Sequence, residues 1–165
     1  MKLQTGTISH LDFILSQEAR KKFSRFILSW SRDKHLQNLQ DPDKHYLIIK
    51  TDLDVGIEAI AGYTILSGLQ SPHRNIELTR IVIAEPGKGF GKTALKLIQK
   101  RVFEEYQAHR LWLDVFEDNQ RARWVYESVG FKQEGLLREA VRRGESYDSL
   151  VIMSILEQEY FSRLV

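Results

Sequence analysis

The sequence predicts a single α/β domain of the α+β type, built on a mixed, mostly antiparallel twisted sheet with helices on both faces. Two observations predict it. Apolar runs of strand length alternate with stretches of helical periodicity. Turn sequences typical of hairpins separate two such runs near each end of this pattern. The length of 165 residues suits one domain, and no repeat, linker or low-complexity tract divides residues 1–165.

Composition excludes several classes of protein. Hydrophobic residues make up 42% of the chain, which argues against wholesale disorder. No apolar run approaches the roughly 20 residues of a membrane-spanning helix, and no signal-peptide core is present, so we expect a cytoplasmic protein without a membrane partner. The net charge is +2 without a basic stripe, which predicts no nucleic-acid partner, and clusters such as Arg20-Lys21-Lys22 are interpreted as solvated surface.

Residue types also limit the chemistry. The absence of cysteine excludes disulfides, thiolate metal ligands and a cysteine nucleophile. The five histidines are scattered, with no pair at metal-ligand spacing. We therefore expect no metal site.

Apolar spacing predicts that the first third of the chain is helical. Ser9 stands three residues before Asp12, and this pair resembles a capping box with the shorter acid. Asp41-Pro42-Asp43 marks the turn that follows the helical region. Apolar residues between these signals recur at helical spacing and predict one buried face: Ala19, Phe23, Phe26, Ile27 and Trp30.

Strands and helices alternate through the remaining chain. The first two strands are expected to form a hairpin around 52–56, and the last two a hairpin around 143–145. Helices are expected over 93–103 and from Asn119, a suitable cap, to Gly130, where a left-handed residue can end a helix. Predicted strands cover six segments: 45–50, 60–66, 76–84, 109–116, 131–141 and 149–156.

A glycine-rich loop after the strand 76–84 carries the strongest functional signal. The segment Pro86-Gly87-Lys88-Gly89-Phe90-Gly91-Lys92-Thr93 holds three of the ten glycines of the chain. Glycine permits positive φ and lets a bulky anion approach the main chain. The free amides and the dipole at a helix start favour negative charge. The loop therefore predicts a cradle for phosphate or diphosphate, with an ordinary tight turn as the alternative.

Two nucleotide-binding patterns fit this loop incompletely. The spacing G-x-G-x-G departs from the dinucleotide pattern G-x-G-x-x-G. Gly91-Lys92-Thr93 matches the end of the Walker A pattern, but the first glycine of that pattern falls on Pro86, which has a fixed φ and no N–H. Leu111-Trp112-Leu113-Asp114 could imitate a Walker B strand. An enzyme that binds a nucleoside triphosphate through this loop therefore stays open, although the mixed sheet counts against it.

Beyond the loop, the sequence resembles the GNAT N-acetyltransferase superfamily. The loop pattern of that family is (Q/R)-x-x-G-x-(G/A), and Gly89-Phe90-Gly91 supplies its glycines. Residues 115–131 match the family segment V-x-x-x-N-x-x-A-x-x-x-Y-x-x-x-G-F at every defined position. Gly135, Leu136 and the last strand are similar to the branch of ribosomal-protein N-terminal and small-amine acetyltransferases. The chain departs from the family at Pro86, which replaces Gln or Arg, and in a loop about two residues shorter.

The resemblance implies that acetyl-CoA, as co-substrate, lies where two central strands splay apart. Main-chain groups of Ile81, Val82 and Ile83 would pair with the pantetheine arm as an added strand would. A backbone N–H near Val82 or Ile83 would polarise the acetyl carbonyl. Asn119 would bridge the helix start and a pantetheine amide, with a plain N-cap as the alternative. The diphosphate would contact the loop residues Gly87, Lys88, Gly89, Phe90, Gly91 and Lys92.

The same resemblance implies transfer of the acetyl group to an amine. Glu77 corresponds to the glutamate that acts as general base in several members. The alternative is an ion pair with Arg80 or a neighbouring strand, or an exposed strand start. Tyr126 corresponds to the general acid for the departing CoA thiolate, which suits a phenol with a pKa of about 10. Because the chain has no cysteine, direct attack in a ternary complex is favoured over an acetyl-enzyme.

The sequence leaves the acceptor and the assembly open. The N-terminal helices and the turn 142–145 are expected to meet the acceptor, which is an amine on a small molecule or at a protein N-terminus. A homodimer is one assembly that remains open, and a non-catalytic CoA-binding module is a third candidate function. Asp114 is interpreted as structural, and Trp112 and Trp124 as core or cleft wall.

Overall fold

The computed structural model describes residues 1–52 and 58–164, in which seven strands form one sheet. The strands are β1 (Lys2–Thr5), β2 (Lys44–Asp52), β3 (Glu58–Ser67), β4 (Asn75–Ile83), β5 (Arg110–Phe116), β6 (Lys132–Arg143) and β7 (Ser146–Leu156). Their order across the sheet is β1-β2-β3-β4-β5-β7-β6, and every neighbouring pair is antiparallel except β4 with β5. This sheet confirms the predicted fold class. Residues 53–56 of the predicted turn after β2 lie outside the described residues.

Six α-helices accompany the sheet in the described residues. They are α1 (Leu11–Glu18), α2 (Lys21–Ser24), α3 (Arg32–Gln40), α4 (Phe90–Lys100), α5 (Gln120–Ser128) and α6 (Glu157–Phe161). A 3-10 turn over Ile8–His10 precedes α1, and a π-helical turn over Arg101–Glu105 extends α4. Of the helices described, none combines the length and the apolar composition needed to cross a membrane.

Each face of the sheet is buried under its own helices. Successive strand residues point to opposite faces. On one face, Leu47 belongs to the same buried cluster as Leu95 of α4. On the other face, Ile48 is buried with Leu11 and Ile14 of α1. Helices therefore cover both faces, as predicted.

The start of the chain differs from the prediction. Lys2–Thr5 form the edge strand β1, which pairs with β2 and which the sequence pattern did not reveal because four residues carry too little periodicity. The predicted capping box of Ser9 and Asp12 is wrong. The first helical turn is instead capped at Thr7, whose amide donates to Nδ1 of His10 at 3.1 Å.

The predicted helical face also ends early. Helix α1 stops at residue 18, α2 stops at residue 24 and residues 27–31 are not helical. The assignment of Ala19, Phe26, Ile27 and Trp30 to a helical face is therefore wrong. The carbonyl of Leu28 accepts a hydrogen bond from Nη2 of Arg80 at 2.6 Å, and the amide of Trp30 donates to Glu18 at 3.3 Å. These long-range bonds occupy main-chain groups that a helix would pair internally.

A bulge divides β4 into two parts. The register against β3 pairs Ile65 with Arg80 and Leu66 with Leu78, so Thr79 is the extra residue. A bulge of this kind bends its strand and increases the twist. Past this point β4 and β5 separate, which is the predicted splay.

Candidate active site

A groove opens in the middle of the sheet where β4 and β5 part. Their parallel pairing covers three residue pairs and ends at Glu77 with Trp112. Strand β4 then continues to Ile83, paired with β3 on its other side. The β5-facing edge of residues 81–83 therefore offers main-chain groups to an extended ligand. That Ile81, Val82 and Ile83 bind pantetheine stays a prediction.

The glycine loop lies at the open end of this groove. Gly87 has φ +102° and Gly89, the N-cap of α4, has φ +75°. A Cβ at either position would meet no atom within 4 Å, so both face open space. No side chain caps the amides at the start of α4. Phe90 packs its ring against buried residues, so the loop presents main chain rather than this side chain to a ligand.

Cations surround the loop. Arg20 and Lys22 both donate to the carbonyl oxygen of Ala84, at 2.9 and 2.8 Å. Both residues are exposed, as predicted for this cluster. Lys88 pairs with Glu85 at 2.7 Å. An anion in the loop would therefore lie beside positive side chains from two parts of the chain.

The ammonium of Lys92 lies 4.1 Å from the ring centroid of Trp124 on α5, and Trp124 is 61% exposed. Trp124 is therefore not core. A Walker lysine instead reaches the phosphates in its own loop. The position of Lys92 over Trp124 therefore argues against the hypothesis that this loop binds a nucleoside triphosphate. The antiparallel pairing of β4 with β3 argues against it as well.

Glu77 lies half-buried at the base of the groove. Burial raises the pKa of this carboxyl and the neighbouring Asp114 raises it further, while a hydrogen bond from Thr79 acts in the opposite direction. The alternative ion pair with Arg80 is wrong, because Arg80 binds Glu18 at 2.5 Å. A carboxylate with a raised pKa is a stronger base than an ordinary one.

Asp114 belongs to the same groove, although sequence reasoning treated it as structural. Glu77 pairs with Trp112, and Asp114 follows two residues later, so all three side chains point to one face of the sheet. Surrounding protein atoms raise the pKa of Asp114. The parallel pairing was the missing information, since Asp114 is 37 residues away from Glu77 in the sequence.

Tyr126 approaches the groove from the opposite face. It lies on α5, packs against the buried cluster that contains Leu95 and Leu113, and contacts Phe131 edge-on at 5.7 Å. Burial and the nearby Asp114 raise the pKa of its phenol, so the hydroxyl stays protonated at neutral pH. Asn119 accepts a hydrogen bond from the amide of Ala122 at 3.2 Å, which confirms its role as N-cap.

A buried ionic network fixes residues 18–30, the covering segment, which lie over the other side of the groove. Glu18 is 2% exposed and accepts hydrogen bonds from Arg80 at 2.5 Å and from Tyr63 at 2.6 Å. The Arg80 guanidinium also stacks on Trp30, 4.1 Å from the ring centroid. Burial alone would raise the pKa of Glu18, but hydrogen bonds from His35 and Tyr63 and the charge of Arg80 lower it to about 2.

Two contacts link this covering segment to the far end of β5. Arg25 pairs with Asp118 at 2.5 Å, and Phe26 packs on Phe116 with 6.2 Å between ring centroids. The guanidinium of Arg143, the last residue of β6 before the β6–β7 turn, lies 4.6 Å from the Phe116 ring centroid. The turn and the N-terminal segment therefore meet around Phe116. That they bind the acceptor stays a prediction. No cluster of His, Asp or Glu that could hold a metal ion occurs in the described ranges.

Solved structures share this fold over almost the whole chain. The spermidine N-acetyltransferase of Vibrio cholerae in complex with CoA and spermine matches with a TM-score of 0.85 and 23% identity, over 97% of both chains. A dodecameric structure of the spermidine N-acetyltransferase from Vibrio cholerae matches with a TM-score of 0.80 and 24% identity, over 98% of this chain and 96% of that one.

Sequence relatives and a family model point the same way. The spermidine N(1)-acetyltransferase of Vibrio cholerae is 33% identical over 92 residues, 55% of this chain and 53% of the relative. The Escherichia coli (strain K12) spermidine N(1)-acetyltransferase is 27% identical over 131 residues, 79% of this chain and 66% of the relative. These alignments thus span between about half and two thirds of the relatives. The model of the acetyltransferase (GNAT) family matches residues 12–131, and the chain belongs to this family.

Proposed function

We propose that this protein is an N-acetyltransferase that transfers the acetyl group of acetyl-CoA to a small amine. The parting of β4 and β5 after Glu77 carries the proposal. It supports the proposal because the strand edge left free lies close to a glycine loop at a helix start and to Glu77, our candidate base. Membership of the acetyltransferase family supports it.

The residues around the groove fit the parts of acetyl-CoA. The amides at the start of α4, held open by Gly87 and Gly89, suit a diphosphate because they are unpaired and lie at the positive end of the helix dipole. Pro86 contributes no donor, so this binding rests on main-chain amides from Lys88 to Lys92. The edge of Ile81–Ile83 suits the amide-bearing pantetheine arm.

The two faces of the groove divide the acid–base work. Glu77 takes a proton from the acceptor ammonium, directly or through water, and the free amine attacks the thioester carbonyl carbon. A backbone N–H near Val82 or Ile83 stabilises the negative oxygen of the tetrahedral intermediate. Collapse of the intermediate breaks the carbon–sulfur bond, and Tyr126 donates its proton to the leaving thiolate. No covalent acetyl-enzyme is needed.

We infer that the acceptor is an aliphatic di- or polyamine. Two carboxylates, Glu77 and Asp114, share the acceptor face of the groove and would attract a cationic chain. Relatives named spermidine N(1)-acetyltransferases support this class. A relative named as a putative ribosomal N-acetyltransferase, from Bacillus subtilis (strain 168), is 28% identical over 113 residues, so a peptide N-terminus is the competing acceptor.

We also infer that the chain self-associates. Three large apolar side chains of the outer strands are exposed: Leu136, Leu137 and Tyr147. The dodecamer of the Vibrio cholerae protein supports an assembly larger than the homodimer. Light scattering after gel filtration measures the mass directly. A species at the monomer mass of 19.3 kDa at all concentrations would contradict the inference.

Ligand-induced thermal stabilisation separates acetyl-CoA from nucleotide binding. Acetyl-CoA at 100 times its Kd stabilises the fold by about 2.7 kcal/mol, which shifts Tm by about 5–10 °C for a domain of this size. Mg-ATP should leave Tm unchanged. A rise in Tm with Mg-ATP, together with no rise in Tm with acetyl-CoA, would overturn the proposal.

Release of free thiol from acetyl-CoA then measures turnover. The acceptor panel contains spermidine, spermine and peptides with free N-termini, and Tyr126→Phe is the matched variant. We expect turnover with polyamines and little with peptides. Binding of acetyl-CoA without turnover on any amine would instead support the non-catalytic CoA-binding module.

A further inference from the structure

Trp124 is exposed in an unusual position. Its neighbours Ala122, Val125 and Tyr126 on α5 pack toward the core, whereas Trp124 is 61% exposed on the outer side of the helix. Covering this ring with a ligand would be favourable, because tryptophan carries a large apolar surface. The Lys92 ammonium lies over this ring at 4.1 Å from the centroid. The pair therefore forms a cationic aromatic surface across α4 and α5.

This surface adjoins the glycine loop. Lys92 is three residues past the N-cap Gly89, so it lies in the first turn of α4. A diphosphate on the amides of that turn would be within one helical turn of the Lys92 and Trp124 pair. The thioester end of acetyl-CoA would extend from the diphosphate into the sheet toward Glu77. Its other end would therefore leave the loop on the outer side, past α4 and α5.

The chemistry of that end matches the surface. Beyond its diphosphate, coenzyme A carries a ribose with a 3′-phosphate and an adenine ring. Adenine stacks on exposed aromatic side chains, and lysine is a common phosphate partner. We propose that Trp124 stacks on the adenine ring of acetyl-CoA and that Lys92 pairs with the phosphate of its 3′-phosphoadenosine. This assignment rests on the proposed acetyltransferase function.

The two side chains also link α4 to α5, so the test must separate binding from packing. Acetyl-phosphopantetheine has the thioester arm but lacks adenosine. We expect Trp124→Ala to raise the KM for acetyl-CoA about 10-fold with kcat within 2-fold, and to leave the KM for acetyl-phosphopantetheine unchanged. A merely structural residue would affect both acyl donors alike.

Lys92→Met tests the phosphate contact separately. We expect it to weaken CoA binding several-fold in calorimetry while the Kd of 3′-dephospho-CoA stays the same. Phe161→Ala is the control for loss of an exposed aromatic ring. Phe161 is 41% exposed on α6, near Phe103 and Glu104, which follow the end of α4 that is opposite to the loop. This control variant should change neither Kd nor KM.

The outcomes are distinct. An unchanged KM for acetyl-CoA in Trp124→Ala, or equal changes for both acyl donors, overturns the assignment while the acetyltransferase function stands. Equal losses for CoA and 3′-dephospho-CoA in Lys92→Met remove the phosphate contact. Failure of the unaltered protein to bind acetyl-CoA instead overturns the function on which the assignment rests.

Discussion

The carboxylate of Glu18 should make the stability of this protein strongly dependent on acid. Its pKa is 4.5 without the fold and about 2 within it. Because the folded pKa is the lower one, the stabilisation is complete above about pH 4.5 and is lost as the pH falls through 2. The full difference corresponds to about 3 kcal/mol, and about 2 kcal/mol is already lost at pH 3.

Glu18→Gln removes this titration. At pH 7 the variant should be about 3–5 kcal/mol less stable, because Arg80 is 8% exposed and loses its charged partner. At pH 3 the gap should shrink by about 2 kcal/mol, since the unaltered protein has by then lost most of the same stabilisation. Urea unfolding followed by circular dichroism at both pH values measures the two gaps.

Asp12→Asn is the matched control on the same helix. The Asp12 side chain is 86% exposed in its pair with Arg32, so the loss should stay below about 1 kcal/mol at either pH. A gap between Glu18→Gln and the unaltered protein that is the same at pH 7 and pH 3 would refute the assigned pKa. A gap under about 1 kcal/mol at pH 7 would refute the network itself.

Three further predictions concern the groove. Tyr126→Phe should lower kcat about 100-fold or more with the Kd of acetyl-CoA nearly unchanged, in stopped-flow thiol release and calorimetry; equal losses in both would exclude proton transfer. Gly89→Val should weaken acetyl-CoA binding severely, because it strains a φ of +75° and adds a side chain to the cradle. Gly144→Val, with φ +61° and equally open space but in the β6–β7 turn, should leave that Kd unchanged, and equal effects would count against the cradle. Glu77→Gln should remove the acid limb of the kcat/KM profile, whose midpoint lies above 4.5 because burial raises the pKa of Glu77; an acid limb that persists would assign the base role elsewhere, with Asp114 as the nearest carboxylate.

Local signals in the sequence were enough for most of the sheet. Strands β2 to β5 and β7 carry apolar runs, and Gly130, with φ +107°, ends the helix α5 where the sequence predicted. The glycine loop and the segment 115–131 pointed to the family because their spacing is local. Such signals need no knowledge of which strands become neighbours.

Two of the predictions that failed depended on contacts between distant parts of the chain. The segment 27–31 has helical spacing, yet Arg80 binds the carbonyl of Leu28 from a distance of 52 residues along the chain. Asp114 joins Glu77 only through the parallel pairing of β4 with β5. Trp124 is a large aromatic residue of the kind usually found in a core, yet its side chain is exposed. In the first two cases a contact between distant segments decided the outcome, and no periodicity within a segment records such a contact.

The bulge at Thr79 explains how one strand serves both tasks. In an unbroken strand Glu77 and Arg80 would point to opposite faces, because three positions separate them. Arg80 would then enter the apolar cluster of Leu95 and Ile98, where a guanidinium has no partner and is costly to bury. The extra residue turns Arg80 to the face of Glu77, where it meets Glu18 instead. The same bulge thus accounts for the ionic network that holds the covering segment and for the bend at which β4 leaves β5.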